Sequence, residues 1–214
     1  MKPRVLISVP NGKGWLHKHV AFALLRLQQD ARVQQTIILP THTPYVNNLH
    51  KIKEDFLNGP YDYWLTMDAD NPPRRNVLDC VFLDKDIIGF PTPVWANMKE
   101  GDYPIYWNGL DAKGDGWTPH EPTTGLQMVD AVGSGCLLIA RRVMAAMRYD
   151  HPFARVWNPD GTVEIGGDYS FCRKAKARGF EIYCHYGYPC HHFNEIEVSE
   201  IGTAFHAIQE VSHG

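Results

Sequence analysis

The chain has no Cys-x-x-Cys pair, no long apolar run and no block of like charge. Five cysteines is an odd number, which excludes a complete disulfide framework and makes a reducing, cytoplasmic setting the expectation. No stretch approaches the roughly 20 apolar residues that a membrane span needs. No leader is read at the start, where residues 4–10 form a short strand-like run. The net charge of −3 includes no basic tract that demands nucleic acid. Repeats, linkers and low-complexity tracts are missing too, so 1–214 is read as a single domain. That length, 214 residues with 44% in the hydrophobic class, is enough for a real core. Tryptophan (6), tyrosine (10) and histidine (11) are plentiful. Aromatics with polar tips suit a polar-ligand cavity and a core equally. The oligomeric state is not legible.

Residues 5–10 read as a first strand, ending in the loop Asn11-Gly12-Lys13-Gly14. A helix follows with Leu16, Val20, Leu24 and Leu27 on one face. Residues 36–39 read as a second strand. Thr43 is expected to be an N-cap, with Pro44 at the first helical position. Val46, Leu49, Ile52 and Phe56 mark that helix's apolar face, and Gly59 ends it. Further strands are expected at 63–67, 86–90, 136–139 and 180–184. Helices are expected at 77–82, 142–147 and 169–178, and an amphipathic segment carries Val198, Ile201, Phe205 and Ile208. Strands separated by helices predict an α/β fold with a mostly parallel open sheet flanked by helices. Residues 91–125, dense in Gly, Pro, Trp and Tyr, read as a binding loop or a small β insertion.

The third strand ends in Asp68-Ala69-Asp70-Asn71-Pro72-Pro73. Proline cannot donate to a ladder, so the strand stops there. Ligands of open α/β sheets bind beyond the carboxyl ends of strands. Two acids in that place suit a divalent cation carrying a phosphorylated substrate. An Asx-type turn with no chemistry is the alternative.

Three later segments bear on that pair. Gly133, Ser134 and Gly135 directly precede the apolar strand that begins at Cys136. Asp168 stands at a helix start, and His191 and His192 follow the last strand. In this order the four features resemble the GT-A class of nucleotide-sugar-dependent glycosyltransferases, near the family 2 type, over roughly residues 1–193. The resemblance implies a GT-A-like fold and transfer of a sugar from a nucleoside diphosphate sugar, a UDP-sugar favoured, to an acceptor hydroxyl. It implies Mn2+ or Mg2+ held by Asp70, with Asp68 on the ribose or on the metal through water. His192 completes the metal shell, with His191 the second choice. Asp168 becomes the base of an inverting enzyme. Pro10, Asn11 and the loop Thr41-His42-Thr43, with Gly133, Ser134 and Gly135, would hold the donor, and Trp95 and Trp107 are acceptor candidates. A saccharide acceptor is favoured, with a hydroxylated base in DNA kept open.

The sequence departs from the pattern at Gly167, where the class usually has an acid; Glu164 could take that role, or the role disappears. Other readings stand beside this one. Asp168 makes a good N-cap. Stacking on a sugar and packing of the irregular region onto the sheet both suit the tryptophans. Cys184, His185, Cys190, His191 and His192 could form a zinc site, though the spacing gives little support. Adjacent histidines on a strand point to opposite faces, so one of His191 and His192 at most meets the metal. A metal-dependent nucleotidyl or phosphodiester enzyme, or a non-catalytic sugar-nucleotide-binding module, would use the same acids.

Overall fold

The computed structural model describes residues 1–95, 105–114, 116–194, 196–197 and 199. The first half runs β1 (Arg4–Ser8), α1 (Lys18–Gln28), β2 (Gln34–Ile38), α2 (Tyr45–Asn58), β3 (Tyr63–Met67), a 3-10 helix (Val77–Leu83) and β4 (Ile87–Gly89). There follow β5 (Pro93–Trp95), β6 (Ile105–Trp107), β7 (Gly109–Lys113), β8 (Gly116–Pro119), β9 (Leu126–Met128) and β10 (Ala131–Val132). Then come β11 (Cys136–Ala140), α3 (Arg141–Ala146), β12 (Val156–Trp157), β13 (Val163–Ile165), α4 (Gly167–Lys176) and β14 (Ile182–His185). The amphipathic C-terminal segment expected from the sequence lies outside the described residues.

The central sheet has the order β2-β1-β3-β11-β4-β14-β9. β1 pairs in parallel with β2 and β3, and β4 with β14. β11 is antiparallel to both of its neighbours, and β9 is antiparallel to β14. The fold is therefore mixed α/β with a large, mostly parallel sheet. The described residues of 91–125 form a β insertion: β5 pairs with β6, and β7 pairs with β8 and with β10 beyond the insertion.

Strand side chains alternate between two cores, because successive residues of a strand face opposite ways. Leu6, Trp64, Leu137 and Ile139 face α2, α3 and α4, while Val5, Ile7, Leu65, Met67 and Leu138 face α1 and the 3-10 helix. Trp64 is fully buried, and its indole N–H donates to Ser8 Oγ at 2.8 Å. Leaving that donor unpaired in a core would cost about 1–3 kcal/mol. Arg141 answers the last carbonyls of α2 and the turn after it. Its guanidinium donates to the carbonyls of Phe56, Leu57, Gly59 and Tyr61 at 2.7–3.1 Å, which a helix C-terminus otherwise leaves orphaned.

Several local expectations are corrected. Pro44 rather than Thr43 is the N-cap of α2, and it makes no side-chain cap bond. The cap of α4 is Gly166, one residue before the helix starts at Gly167, so Asp168 sits inside the first turn. Residues 77–83 are a 3-10 helix, capped by the Asn76 side chain on the Leu78 N–H. Trp107 and Trp117 are partly buried and pack against the core cluster. Of Trp95 only the backbone is described.

Candidate functional site

Asp68 directly follows β3, and its N–H donates to the Gly135 carbonyl at 2.9 Å. The Asn71 N–H donates back to the Asp68 carbonyl at 3.2 Å, which closes a turn that carries both acids. The chain after β14 then zips along this turn. The Arg74 N–H donates to Pro189 O, the His191 N–H to Pro72 O and the Phe193 N–H to Asp70 O, all at 3.0 Å. Prolines 72 and 73 cannot donate, so they occupy positions where only their carbonyls are needed. The zipper brings His192 from the far end of the chain beside Asp70.

Asp68, Asp70, Asp168, His192 and the Gly133–Gly135 loop all line one polar cavity of about 220 Å³. The Nδ1 of His192 lies 2.8 Å from the Pro93 carbonyl. A carbonyl only accepts, so Nδ1 carries a proton, and in the neutral ring the lone pair is on Nε2. His191 faces elsewhere, its ring stacked on Phe193 with centroids 5.3 Å apart.

Asp68 carries an unusual load. Burial pushes its carboxyl up to about 7, while the Tyr45 hydroxyl donates to Oδ1 at 2.6 Å and pulls it back. The charges of Asp70 and Asp168 push it further up, and His192 opposes them. Asp168 is also raised by burial. It is held down by N–H groups, that of Tyr169 at 2.9 Å from Oδ1 among them, and by the charge of Arg155.

Two larger cavities adjoin. One, of about 380 Å³, runs between the ends of β1 and α2 and is lined by Pro10, Asn11, Trp15, Asn48, Asp68 and Asp70. Asn11 and Asn48 are buried in its wall, and each has an amide oxygen without a hydrogen-bond partner among the described residues. Of the loop after β2, His42 and Thr43 line it, whereas Thr41 does not. The other cavity, of about 410 Å³, lies beside Asp168. Tyr45 is in the walls of both larger cavities and Ser134 in those of the 410 Å³ and 220 Å³ ones.

Sequence reading missed Tyr45, Thr92, Asn108 and Arg155. The Asn108 amide oxygen accepts from the Thr92 N–H at 2.8 Å, and both residues face the 220 Å³ cavity from the insertion. Among the described residues of the insertion, Thr92, Val94 and Asn108 line this cavity and Trp107 does not. Glycines set how closely the walls approach. A Cβ on Gly135 would meet Asn71 Oδ1 at 2.7 Å, and one on Gly167 would meet the Phe153 carbonyl oxygen at 2.5 Å. Position 167 therefore excludes the expected acid on steric grounds. Glu164, the proposed substitute, is exposed on β13 and lines none of these three cavities.

Among the described residues no group of three or more His, Cys, Asp or Glu is placed to hold a metal ion. That covers the alternative zinc set, whose Cys184 and Cys190 are free and buried. It also covers Asp68, Asp70 and His192, which share a cavity without forming a three-ligand shell. The chemistry of the donor set nevertheless fits a hard divalent cation: carboxylate oxygens, plus an imidazole whose other nitrogen is already held by a carbonyl. No helix among the described residues is long and apolar enough to cross a membrane.

No family model matches the sequence, and no curated protein matches it. Among solved structures, A197 from STIV matches with a TM-score of 0.57 at 16% identity, over 89% of this chain and 86% of that one. CMP:2-keto-3-deoxy-manno-octonic acid synthetase complexed with CTP matches with a TM-score of 0.45 at 11% identity, over 86% and 89%. Apo-UDP-glucose pyrophosphorylase matches with a TM-score of 0.43 at 8% identity, over 98% and 100%. The likeness to A197 is one of fold: the same mixed α/β architecture.

Proposed function

We propose that this chain is a metal-dependent glycosyltransferase that moves a sugar from a nucleoside diphosphate sugar, a UDP-sugar favoured, to an acceptor hydroxyl with inversion. One observation carries the reading: Asp68, Asp70, Asp168 and His192 line a single cavity that opens beside a larger groove at the end of β1. The groove holds the nucleoside, with Asn11 and Asn48 presenting amide groups to the base. Asp70 and His192 hold Mn2+ or Mg2+, with Asp68 at the ribose or reaching the ion through water. Bound there, the cation stabilises the charge of the departing diphosphate without a proton. Asp168 accepts the proton of the attacking hydroxyl; its burial raises its basicity, and the N–H groups around it favour its ionised form. A saccharide acceptor is favoured, with a hydroxylated base in DNA as the other candidate.

The test is turnover of a panel of nucleotide sugars with Mn2+ and with a chelator, with the anomeric configuration of the product read by NMR. Metal-dependent release of nucleoside diphosphate with an inverted product supports the reading. No binding and no turnover of any sugar nucleotide refutes it. A nucleotidyltransferase is favoured by one feature, Lys13 on the loop that lines the nucleoside groove, a cation within reach of a longer phosphate chain. Pyrophosphate release from a nucleoside triphosphate in the same assay would establish that alternative.

A further inference from the structure

We propose, on the reading that Asp168 is the base of glycosyl transfer, that the 410 Å³ cavity beside Asp168 receives the acceptor and that Arg155 selects a saccharide bearing an anionic group, a carboxylate or a phosphate. Asp168 is shared by two cavities. One also contains Asp70 and His192, the groups assigned to the diphosphate end of the donor. The other contains neither. A hydroxyl that attacks the sugar opposite the departing diphosphate must approach Asp168 from the second side, since the first is filled by the donor.

The composition of that second cavity is uneven. Val46, Leu49 and Phe153 give it an apolar wall, and Gly166 and Gly167 leave backbone exposed. Among the described residues that line it, Arg155 is the one cation and Asp168 the one anion. Arg141, Arg142 and Arg178 spend their guanidinium donors on carbonyls or carboxylates. Arg155 has no hydrogen bond or ion pair among the described residues, while its charge is felt at Asp168. A guanidinium offers a rigid fork of donors that matches a carboxylate or a phosphate. Placed at the rim of an apolar cavity beside the reacting carboxylate, it favours acceptors that bring a counter-charge and disfavours neutral ones.

The experiment uses the full chain, Mn2+ and the UDP-sugar that the donor panel shows to be turned over fastest. It compares kcat/KM for methyl glucuronide, methyl glucoside 6-phosphate and methyl glucoside. At least one anionic acceptor is expected to exceed the neutral one by about tenfold or more, and which of them does so identifies the anion. Arg155→Gln should bring that ratio close to one, and Arg155→Lys should recover part of it. Donor turnover without an anionic preference, including turnover to water with none of the three acceptors used, overturns the proposal and leaves the glycosyltransferase reading intact. An equal loss on charged and neutral acceptors in Arg155→Gln also overturns it, because Arg155 would then act only through Asp168. Failure to turn over any donor overturns the reading beneath it.

Discussion

The Tyr45 hydroxyl donates to Asp68 Oδ1 at 2.6 Å, and so ties the first residue of α2 to the end of β3. Tyr45 is 39% exposed as a whole residue, yet its hydroxyl reaches a carboxylate whose charge the surroundings disfavour. The bond offsets part of the cost of holding an ionised Asp68 between Asp70 and Asp168.

Tyr45→Phe should therefore weaken Mn2+-dependent UDP binding at neutral pH by about tenfold, the scale of one hydrogen bond to a charged group. It should also move the midpoint of the pH dependence of binding upward, because the lost donor favoured the ionised form. Calorimetric titration between pH 6 and 9 measures both. An unchanged midpoint would mean that the bond does not govern the charge of Asp68.

The same group makes a stability prediction. The folded-state value of Asp68, about 7, lies above its ordinary 3.8. Between those values the folded chain binds a proton that the unfolded chain has released. Stability therefore falls as pH rises through this window, at up to roughly 1.4 kcal/mol per pH unit. Asp68→Asn removes the effect. The metal-free variant should melt several degrees above the parent at pH 8 and close to it at pH 4. Equal melting differences at both pH values would contradict the assignment.

How much of this was legible in the sequence follows from the kind of signal each residue leaves. Asp68 and Asp70 end an apolar run, Gly133 and Gly135 begin one, and Asp168 and His192 stand next to predicted elements. Local pattern was enough to mark all of them. Tyr45 and Arg155 carry no such mark, because their roles arise only when α2 and the loop before β12 are packed against the end of β3. Thr43 and Asp168 have the chemistry of caps, but the helices start one residue beyond Pro44 and Gly166. Local cap preference could not see those starts. The direction of β11 was equally hidden, since an apolar strand reads the same in either direction. Trp107 is a conspicuous aromatic in the sequence, and its partly buried packing against the core became visible only with the fold.

The division of labour among the acids separates by what each variant loses. Asp70→Ala should abolish Mn2+-dependent UDP binding. Asp168→Asn should keep that binding within a few-fold and lose transfer by about 10²–10⁴, because a base acts in the transition state. Binding that falls equally in both variants would contradict this division.

Gly167 is held by space rather than by chemistry. A Cβ there would meet the backbone oxygen of buried Phe153 at 2.5 Å. Gly167→Ala should therefore cost about 1–3 kcal/mol and lower the melting temperature by several degrees. Gly167→Glu should not raise activity despite restoring an acid. A gain in turnover for Gly167→Glu would show that the steric argument is wrong.

The central claim is that one cavity at the end of β3 holds the donor's diphosphate and its cation. A crystal structure with UDP and Mn2+ tests it most directly. The account predicts the uridine between Asn11, Thr43 and Asn48, the ion on Asp70 and on Nε2 of His192, and Asp168 open to the acceptor cavity. An ion bound away from Asp70 and His192, or UDP outside the groove at the end of β1, would contradict it.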